Sequence, residues 1–333
     1  MQQSLSPISA IWTDLSSRLP KSNGWLHSGI AINDQGMIYC AHPEGGALLE
    51  ICSKLTRSIP VELSELHGIA TTPEPSLIAV ADPGYRMTRL DGAHPQEQGA
   101  PYREEWTSGR AVLLNTTDGS IAREFQQPAI PAYAKAGWRP TSIAIGEGIH
   151  GAEVWIADGY GENLVHRFTW KGGHLATFDA HATGTALNCP HGILTQGHGA
   201  DLRILIADRA NRRIVTISPT GEVQRVFGRE HLDSPSSLTT LQGRLFVTEL
   251  HGGIAEFDPQ DNYVRHLEAS RPRSHEEAAW PNSPGGKSGT INAPTLQEGC
   301  FNSPHGLTSH RGSLYLTEWL IGGRLIKLTP LPH

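Results

Sequence analysis

One arrangement of strand-like runs and turns recurs along the whole chain, and this repetition limits the possible folds more than any other feature. The clearest copy, at 203–227, reads "RILIADRANRRIVTISPTGEVQRVF": an apolar run ending in Ala-Asp, a polar loop, a second apolar run, a Pro-Thr-Gly turn and a third run. A short strand-like run precedes each copy, such as "HGILT" at 191–195. Further copies occupy 37–51, 76–85, 153–178, 244–267 and 313–330. The chain therefore divides into six units of about four short strands each.

Units of about 40–50 residues with four short strands and regular turn signals are typical of β-propeller blades. We therefore predict an all-β fold, a six-bladed β-propeller with four-stranded antiparallel blades around a central channel. The segment around residues 8–15 is expected to add a strand to the last blade, because this closure removes an open sheet edge. The prediction is one domain over 1–333, with lid-like insertions at about 83–109 and 268–304.

Composition and charge exclude several classes of function. The formal net charge is −6, so a nucleic-acid partner has no electrostatic support. No run approaches 18 apolar residues, and the N-terminus lacks the basic and apolar regions of a secretory signal. Four cysteines without CxxC spacing favour free thiols in a reducing compartment. We expect a cytoplasmic protein with no membrane partner.

Three of the strand-like runs begin with His-Gly followed by an aliphatic residue: His67, His191 and His305. The blade count assigns them to blades two, four and six, each at the mouth of the innermost strand. Alternate blades of a six-fold ring place three imidazoles about 120° apart around the axis. Such a set can hold one divalent transition metal, with Zn²⁺ the best match, and leave a coordination position open for a substrate. His27 lies one residue out of register in blade one, and we interpret it as structural.

Loops on the same face of the predicted ring carry further candidates. Tyr160 lies in the Gly-flanked loop "ADGYGEN" of blade three, and Arg209 lies in "ADRANRR" of blade four. A tyrosine near a dication and an arginine can have a lowered pKa and act as a general base. An arginine can hold a substrate carboxylate through two parallel bonds. Asp158 and Asp208 are expected to bind loop backbone, as short carboxylates do in turns.

Both predicted insertions lie on this face too, and loops longer than about 15 residues are often functional lids. Two lids over one metal suggest a small, enclosed substrate. The sequence assigns no role to the remaining polar and aromatic residues of these segments, which are Tyr85, Arg86, Trp106, His275 and Glu276.

The run at 207–214, "ADRANRRI", resembles the NHL repeat of propeller proteins. The three strand-mouth histidines, "DGY" in blade three and "ADR" in blade four together resemble peptidyl-α-hydroxyglycine α-amidating lyase. This resemblance implies zinc held by His67, His191 and His305, Tyr160 as the catalytic tyrosine and Arg209 as an active-site arginine. It also implies cleavage of the N–Cα bond of a carbinolamide to give an amide and glyoxylate. Gly306 stands where that family has an acidic residue, and the second arginine of the family has no match.

The sequence leaves alternatives open. Blade six, "PHGLTSHRGSLYLTEW", also resembles the repeat of virginiamycin B lyase, a seven-bladed metal-dependent C–O lyase, for which Glu249 and Glu318 would be of interest. A hydratase or hydrolase on the same scaffold belongs to the same alternative. A non-catalytic NHL binding module is a second alternative. A calcium-dependent lactonase fits less well, because calcium prefers oxygen ligands to imidazoles. The sequence thus predicts a metal-dependent lyase acting on a small hydroxylated substrate, either carbinolamide-like or a hydroxy acid.

Overall fold

The structure is a computed structural model that describes residues 10–89, 102–267, 280–285 and 290–331. Six four-stranded antiparallel sheets form the blades of a ring, which confirms the predicted six-bladed β-propeller. Short inner strands begin near the axis, and each blade then runs outward through three further strands. Three small two-stranded pairs and five short 3₁₀ helices complete the described chain.

The first five blades use consecutive stretches of chain. From the inside outward, blade one has Ile30–Ile32, Ile38–Ala41, Ala47–Ile51 and Thr56–Pro60, and blade two has Gly68–Thr71, Leu77–Asp82, Arg110–Asn115 and Ile121–Phe125. Blade three has Ser142–Gly148, Gly151–Asp158, Leu164–Thr169 and His174–Phe178, and blade four has Pro190–Gln196, Arg203–Asp208, Arg213–Ile217 and Val223–Phe227. Blade five has Pro235–Leu241, Arg244–Glu249, Ile254–Phe257 and Tyr263–Leu267.

Blade six joins the two ends of the chain. Its inner strands are Pro304–His310, Ser313–Glu318 and Arg324–Pro330. The outermost strand is Ala10–Asp14, which pairs antiparallel with Arg324–Pro330. The predicted closure is therefore confirmed, and its physical reason is that the paired terminal strand satisfies a row of backbone groups that would otherwise form an open edge.

The core consists of layers between neighbouring blades. Leu48 and Ile59 of blade one pack in one cluster with Val80 of blade two, and Leu113 of blade two packs with Val154 of blade three. Similar clusters join the later blades. The middle strands are buried on both faces, which explains why their sequences are near-continuous apolar runs.

The remaining short elements lie between blade strands. The pairs are Tyr85–Arg89 with Tyr102–Trp106, Ser283–Gly285 with Thr290–Asn292, and Trp25–Leu26 with Leu320–Ile321. The 3₁₀ helices are Ser16–Arg18, Pro131–Ala134, His181–Thr183, Gly199–Asp201 and Arg209–Asn211. In the described part of the chain, no helix has the length and apolar character needed to cross a membrane.

The inner strands surround a cavity of about 210 Å³ on the ring axis. Its wall comes from the inner strands of all six blades, including the three His-Gly pairs. The fold therefore brings residues separated by more than a hundred positions in the sequence to one point on the axis.

Candidate metal centre

One position at the start of each inner strand alternates between histidine and a hydroxyl residue. The strand pairings set the register: Gly68, Ser142 and Gly192 each pair with the alanine that precedes the acidic residue at the end of the second strand. The alternating position comes directly before these residues. In blade order it holds Ser28, His67, Thr141, His191, Ser236 and His305. The structure therefore places the three predicted histidines on alternate blades.

The glycine after each histidine is required by close packing against the next blade. A Cβ at Gly68 would lie 2.8 Å from the carbonyl oxygen of Thr141, and one at Gly192 would lie 2.4 Å from that of Ser236. At Gly306 it would lie 2.7 Å from the carbonyl oxygen of Ser28. Any larger residue would push the blades apart, since real Cβ atoms do not approach an oxygen this closely.

The same three carbonyl oxygens orient the three imidazoles. Each histidine bonds through Nδ1 to the carbonyl of the hydroxyl residue in the following blade. The Nδ1-to-oxygen distances are 2.5 Å for His67 to Thr141, 2.9 Å for His191 to Ser236 and 3.0 Å for His305 to Ser28. A carbonyl only accepts, so Nδ1 must carry the proton. Nε2 of each neutral ring is left with a lone pair, which is the form that binds a metal.

The described residues offer too few hydrogen-bond donors for the three Nε2 lone pairs. The Tyr160 hydroxyl lies 3.3 Å from Nε2 of His67 and 3.1 Å from Nε2 of His191, but its single proton can reach only one of them. Nε2 of His305 is buried and has no hydrogen-bond partner among the described residues. Burial holds the pKa values of all three rings well below the usual imidazole range, so the rings are neutral. A divalent transition metal fits this set of donors.

His27 is a fourth imidazole at the same point, which the sequence interpretation as a structural residue did not anticipate. One ligand atom from each of His27, His67, His191 and His305 lies within 4.8 Å of the others, so four buried histidines could hold a metal ion. The His27 ring centroid is 4.4 Å from those of both His67 and His305. Burial lowers the pKa of His27 to about 3, with the Arg209 charge acting in the same direction.

Glu65 is a buried carboxyl group that bonds to His27. Its Oε1 lies 2.9 Å from Nδ1 of His27, and its Oε2 is buried without a partner among the described residues. Burial raises the pKa of this carboxyl well above its usual value. The arrangement matches the carboxylate–histidine pairs that orient metal-binding imidazoles. Sequence reasoning missed Glu65 as well, because its position two residues before His67 has no counterpart in the other blades.

Tyr160 and Arg209 both lie beside the histidine cluster. Besides the two imidazole contacts of Tyr160, Nη2 of Arg209 donates to Oγ of Ser236 at 2.8 Å, and Nε of Arg209 is buried without a partner among the described residues. The expected lowering of the tyrosine pKa is not seen in the protein alone. Burial raises the pKa of Tyr160, and the opposing effect of the Arg209 charge is smaller.

The acidic residues at the ends of the second strands hold loop backbone. Asp158 accepts from the backbone N–H of Glu162 at 2.8 Å, and Asp208 accepts from that of Asn188 at 2.8 Å, as the sequence predicted. Glu249 and Glu318 also bind backbone, because they accept from the N–H groups of Ser234 and Ser303 at the start of the inner strands. These contacts make both glutamates supports for the loops around the site.

Aromatic side chains surround one side of the cluster. The Trp319 ring centroid is 5.2 Å from that of His27 and stacks on Trp25 at 5.6 Å. Tyr85 lies 6.3 Å from His27 and contacts Trp106 at 4.7 Å. The side chain of Arg86 donates to the carbonyl of Glu44. His275 and Glu276 of the second insertion lie outside the described residues.

No family model matches the sequence, and no curated protein matches it either. Solved structures do match. Virginiamycin B lyase from Staphylococcus aureus is 15% identical with a TM-score of 0.57, covering 97% of this chain and 100% of that one. A catalytically inactive variant of that enzyme with quinupristin is 14% identical, with a TM-score of 0.54 and the same coverage. A protein of Thermus thermophilus described as an oxidoreductase (glucose dehydrogenase) is 13% identical, with a TM-score of 0.54, covering 96% of this chain and 99% of that one.

These structures share the propeller fold. At such identities the likeness is one of fold, and the propeller is a scaffold that carries many unrelated activities. Function must therefore be argued from the buried histidine cluster and the residues around it.

Proposed function

We propose that this protein is a metal-dependent lyase that acts on a small hydroxylated substrate, either a carbinolamide or a hydroxy acid. The observation that carries the proposal is the orientation of the three imidazoles: each Nδ1–H is bound to a carbonyl of the next blade, so three Nε2 lone pairs converge on the axis. Burying neutral imidazoles whose Nε2 lone pairs lack hydrogen-bond donors costs free energy of folding unless a ligand binds them.

In this proposal His67, His191 and His305 hold one divalent transition metal, with zinc the best match to three imidazoles. His27 and Glu65 lie beside the ion, where His27 can serve as an additional ligand. When bound, the ion supplies a Lewis acid for a substrate oxygen and a positive charge that favours the phenolate form of Tyr160. Virginiamycin B lyase shows that a propeller can carry a lyase.

Tyr160 and Arg209 act directly on the substrate. The Tyr160 oxygen takes the proton of the substrate hydroxyl, and the O–H electron pair becomes the new carbonyl bond. In a carbinolamide the N–Cα bond then breaks and its electron pair stays on nitrogen. Tyr160 gives the proton that it took to this nitrogen, so the products are the amide and an aldehyde and the phenolate is restored. Arg209 holds the substrate carboxylate through charge-assisted hydrogen bonds, for which its unpartnered Nε is available. Arg209 also favours the phenolate that this step requires.

The test is turnover by the zinc-loaded protein with N-acyl-α-hydroxyglycines, followed by the release of glyoxylate. Tyr160→Phe should lower kcat by about 100-fold or more while keeping its metal, because loss of a general base has effects of this size. Tyr315→Phe is the matched control, since Tyr315 lies in the second strand of blade six and contacts Lys327 instead. Absence of turnover with every substrate, or full activity of Tyr160→Phe, would contradict the proposal.

A further inference from the structure

The surroundings of the histidine cluster differ sharply between its two sides. Blades three and four supply the polar side, which consists of Tyr160 and Arg209. The Tyr160 hydroxyl contacts Nε2 of His67 and of His191, and Arg209 donates to Ser236. Blades one, two and six supply Trp25, Tyr85 and Trp319, which we call the aromatic wall. His27 has neighbours in both groups, because its ring centroid lies 5.2 Å from that of Trp319, 6.3 Å from that of Tyr85 and 6.4 Å from that of Tyr160.

The aromatic wall is held in place by backbone pairing. Trp25–Leu26 pairs with Leu320–Ile321, which sets Trp25 against the residue before that strand, Trp319. The two indoles lie nearly parallel, with an interplanar angle of 25°. Trp280 meets Trp319 edge-on at 5.8 Å, which adds a further contact that holds this indole. Fixed, stacked indoles form a pre-ordered flat surface, and such a surface binds a planar ring at a low cost in conformational entropy.

The two indoles of the wall are apolar where a ligand could reach them. Trp25 and Trp319 are each partly exposed, but both indole Nε1 atoms are buried and have no partner among the described residues. The accessible parts of the two residues therefore exclude their polar ring atoms. A partly exposed apolar surface beside a buried polar cluster is typical of a ligand-binding site.

We propose that the substrate carries an aromatic ring that stacks on the aromatic wall, at the opposite end from a carboxylate held by Arg209. The substrate class is thus an aryl-substituted hydroxy acid or an aryl carbinolamide acid, with its hydroxyl carbon between the two ends, over the histidines. This inference rests on the proposed function for the chemistry at the centre. It adds the aromatic ring of the substrate, which the proposed reaction does not specify. The ring order supports the orientation, since Arg209 lies in the loop of blade four and its Nη2 donates to Oγ of Ser236 in blade five, whereas the wall comes from blades one, two and six.

The experiment measures binding, by calorimetry, of three small probes to the zinc-loaded full chain. The probes are mandelate, which has a ring and a carboxylate; lactate, which lacks the ring; and mandelamide, which lacks the charge. We expect mandelate to bind about tenfold more tightly than lactate because of ring stacking. We also expect it to bind about tenfold more tightly than mandelamide because of the charged pair.

Variants assign these preferences to their residues. Trp319→Leu and, separately, Trp25→Leu should reduce the mandelate-to-lactate ratio toward one and leave lactate binding unchanged. Arg209→Gln should remove the preference for mandelate over mandelamide. Trp170→Leu is the matched control, because Trp170 lies on the other face of the ring, where its indole donates to Glu74, and it should keep the wild-type ratios. Circular dichroism of each variant confirms folding. Trp319→Leu and Trp25→Leu give two independent tests of the aromatic wall.

Equal binding of mandelate and lactate by the wild type, an unchanged ratio in both wall variants, or no binding of any probe would overturn the inference. These outcomes are separable from failure of the lyase proposal. A protein that prefers mandelate but turns over no substrate would retain the aromatic site and lose the lyase activity. A protein that cleaves aliphatic substrates with no preference for a ring would show the reverse.

Discussion

Each His-Gly pair at the mouth of an inner strand uses one backbone carbonyl twice. The carbonyl of Thr141, for example, accepts from Nδ1 of His67 and also lies where a Cβ on Gly68 would have to go. A larger residue after the histidine would move that carbonyl and so rotate the imidazole. The two residues therefore act together. Histidine supplies the Nε2 atom, and glycine lets the next blade come close enough for its carbonyl to orient the imidazole ring.

His166 is a buried histidine outside the cluster, and it gives a pH-dependent prediction. Its Nε2 lies 2.6 Å from the Tyr133 hydroxyl and its Nδ1 lies 2.9 Å from Oγ1 of Thr177. Burial lowers its pKa to about 3, with a smaller effect from His174. Because the folded-state pKa is below the unfolded value of 6.5, the contribution of neutral His166 to stability is complete above pH 6.5 and is lost as pH falls toward 3.

The prediction is that His166→Gln has a flatter dependence of unfolding free energy on pH than the wild type. The difference in slope should be about 1.4 kcal/mol per pH unit between roughly pH 6 and pH 4, the value for one proton. Urea unfolding at several pH values measures it. The cluster histidines are unchanged in both proteins, so their contribution cancels in the comparison. Parallel pH profiles for the two proteins would show that His166 is not the group responsible.

At the scale of elements, the outermost strand of blade six decides whether the ring closes. Ala10–Asp14 is only five residues long, yet it pairs over its whole length with Arg324–Pro330. Trp12 packs against Phe301 at 5.0 Å and lies under the Arg324 guanidinium, also at 5.0 Å. Arg324 in turn bonds to Glu318, the loop-holding residue of blade six. The strand is thus linked to the start of the His305 strand by a short chain of contacts.

Trp12→Ala should destabilise the protein by on the order of 2 kcal/mol, because it removes a large, partly buried ring from this closure. Ile11→Thr is the matched control on the opposite side of the same strand, where Ile11 is 56% exposed, and it should change stability by no more than about 0.5 kcal/mol. Urea unfolding of both variants at one pH measures the difference. Similar stability of the two variants would mean that closure does not depend on this packing.

The elements were largely predictable from the sequence, and the reason is repetition. Six copies of one pattern give the blades and their strand order, since each copy has the same turns and apolar runs. The N-terminal closing strand was predictable because it removes an open sheet edge. The small pairs between blade strands were not predictable. One of these pairs joins Trp25–Leu26 to Leu320–Ile321, which lie near opposite ends of the sequence. Two residues are too short a segment to indicate such a pairing.

At the scale of the whole molecule, the candidate site follows from the symmetry of the ring. The three repeated histidines could be identified because they occur at one position of the repeat, and Tyr160 and Arg209 because their loops share that face. His27 and Glu65 could not be assigned, since both stand outside the repeat: His27 precedes the ring position occupied by Ser28, and its role depends on how blade one meets blades two and six. The aromatic wall was missed for the same reason.

The central claim is that the converging imidazoles bind one metal ion, and metal content tests it most directly. The wild type and His67→Ala/His191→Ala/His305→Ala are purified without chelator, incubated with zinc, desalted and analysed by plasma mass spectrometry. His150→Ala/His181→Ala/His198→Ala, which changes three exposed histidines, is the control. We predict about one ion per chain in the wild type and the control, and almost none in the cluster variant. A wild type that retains no metal, or a cluster variant that retains as much as the wild type, would contradict the account.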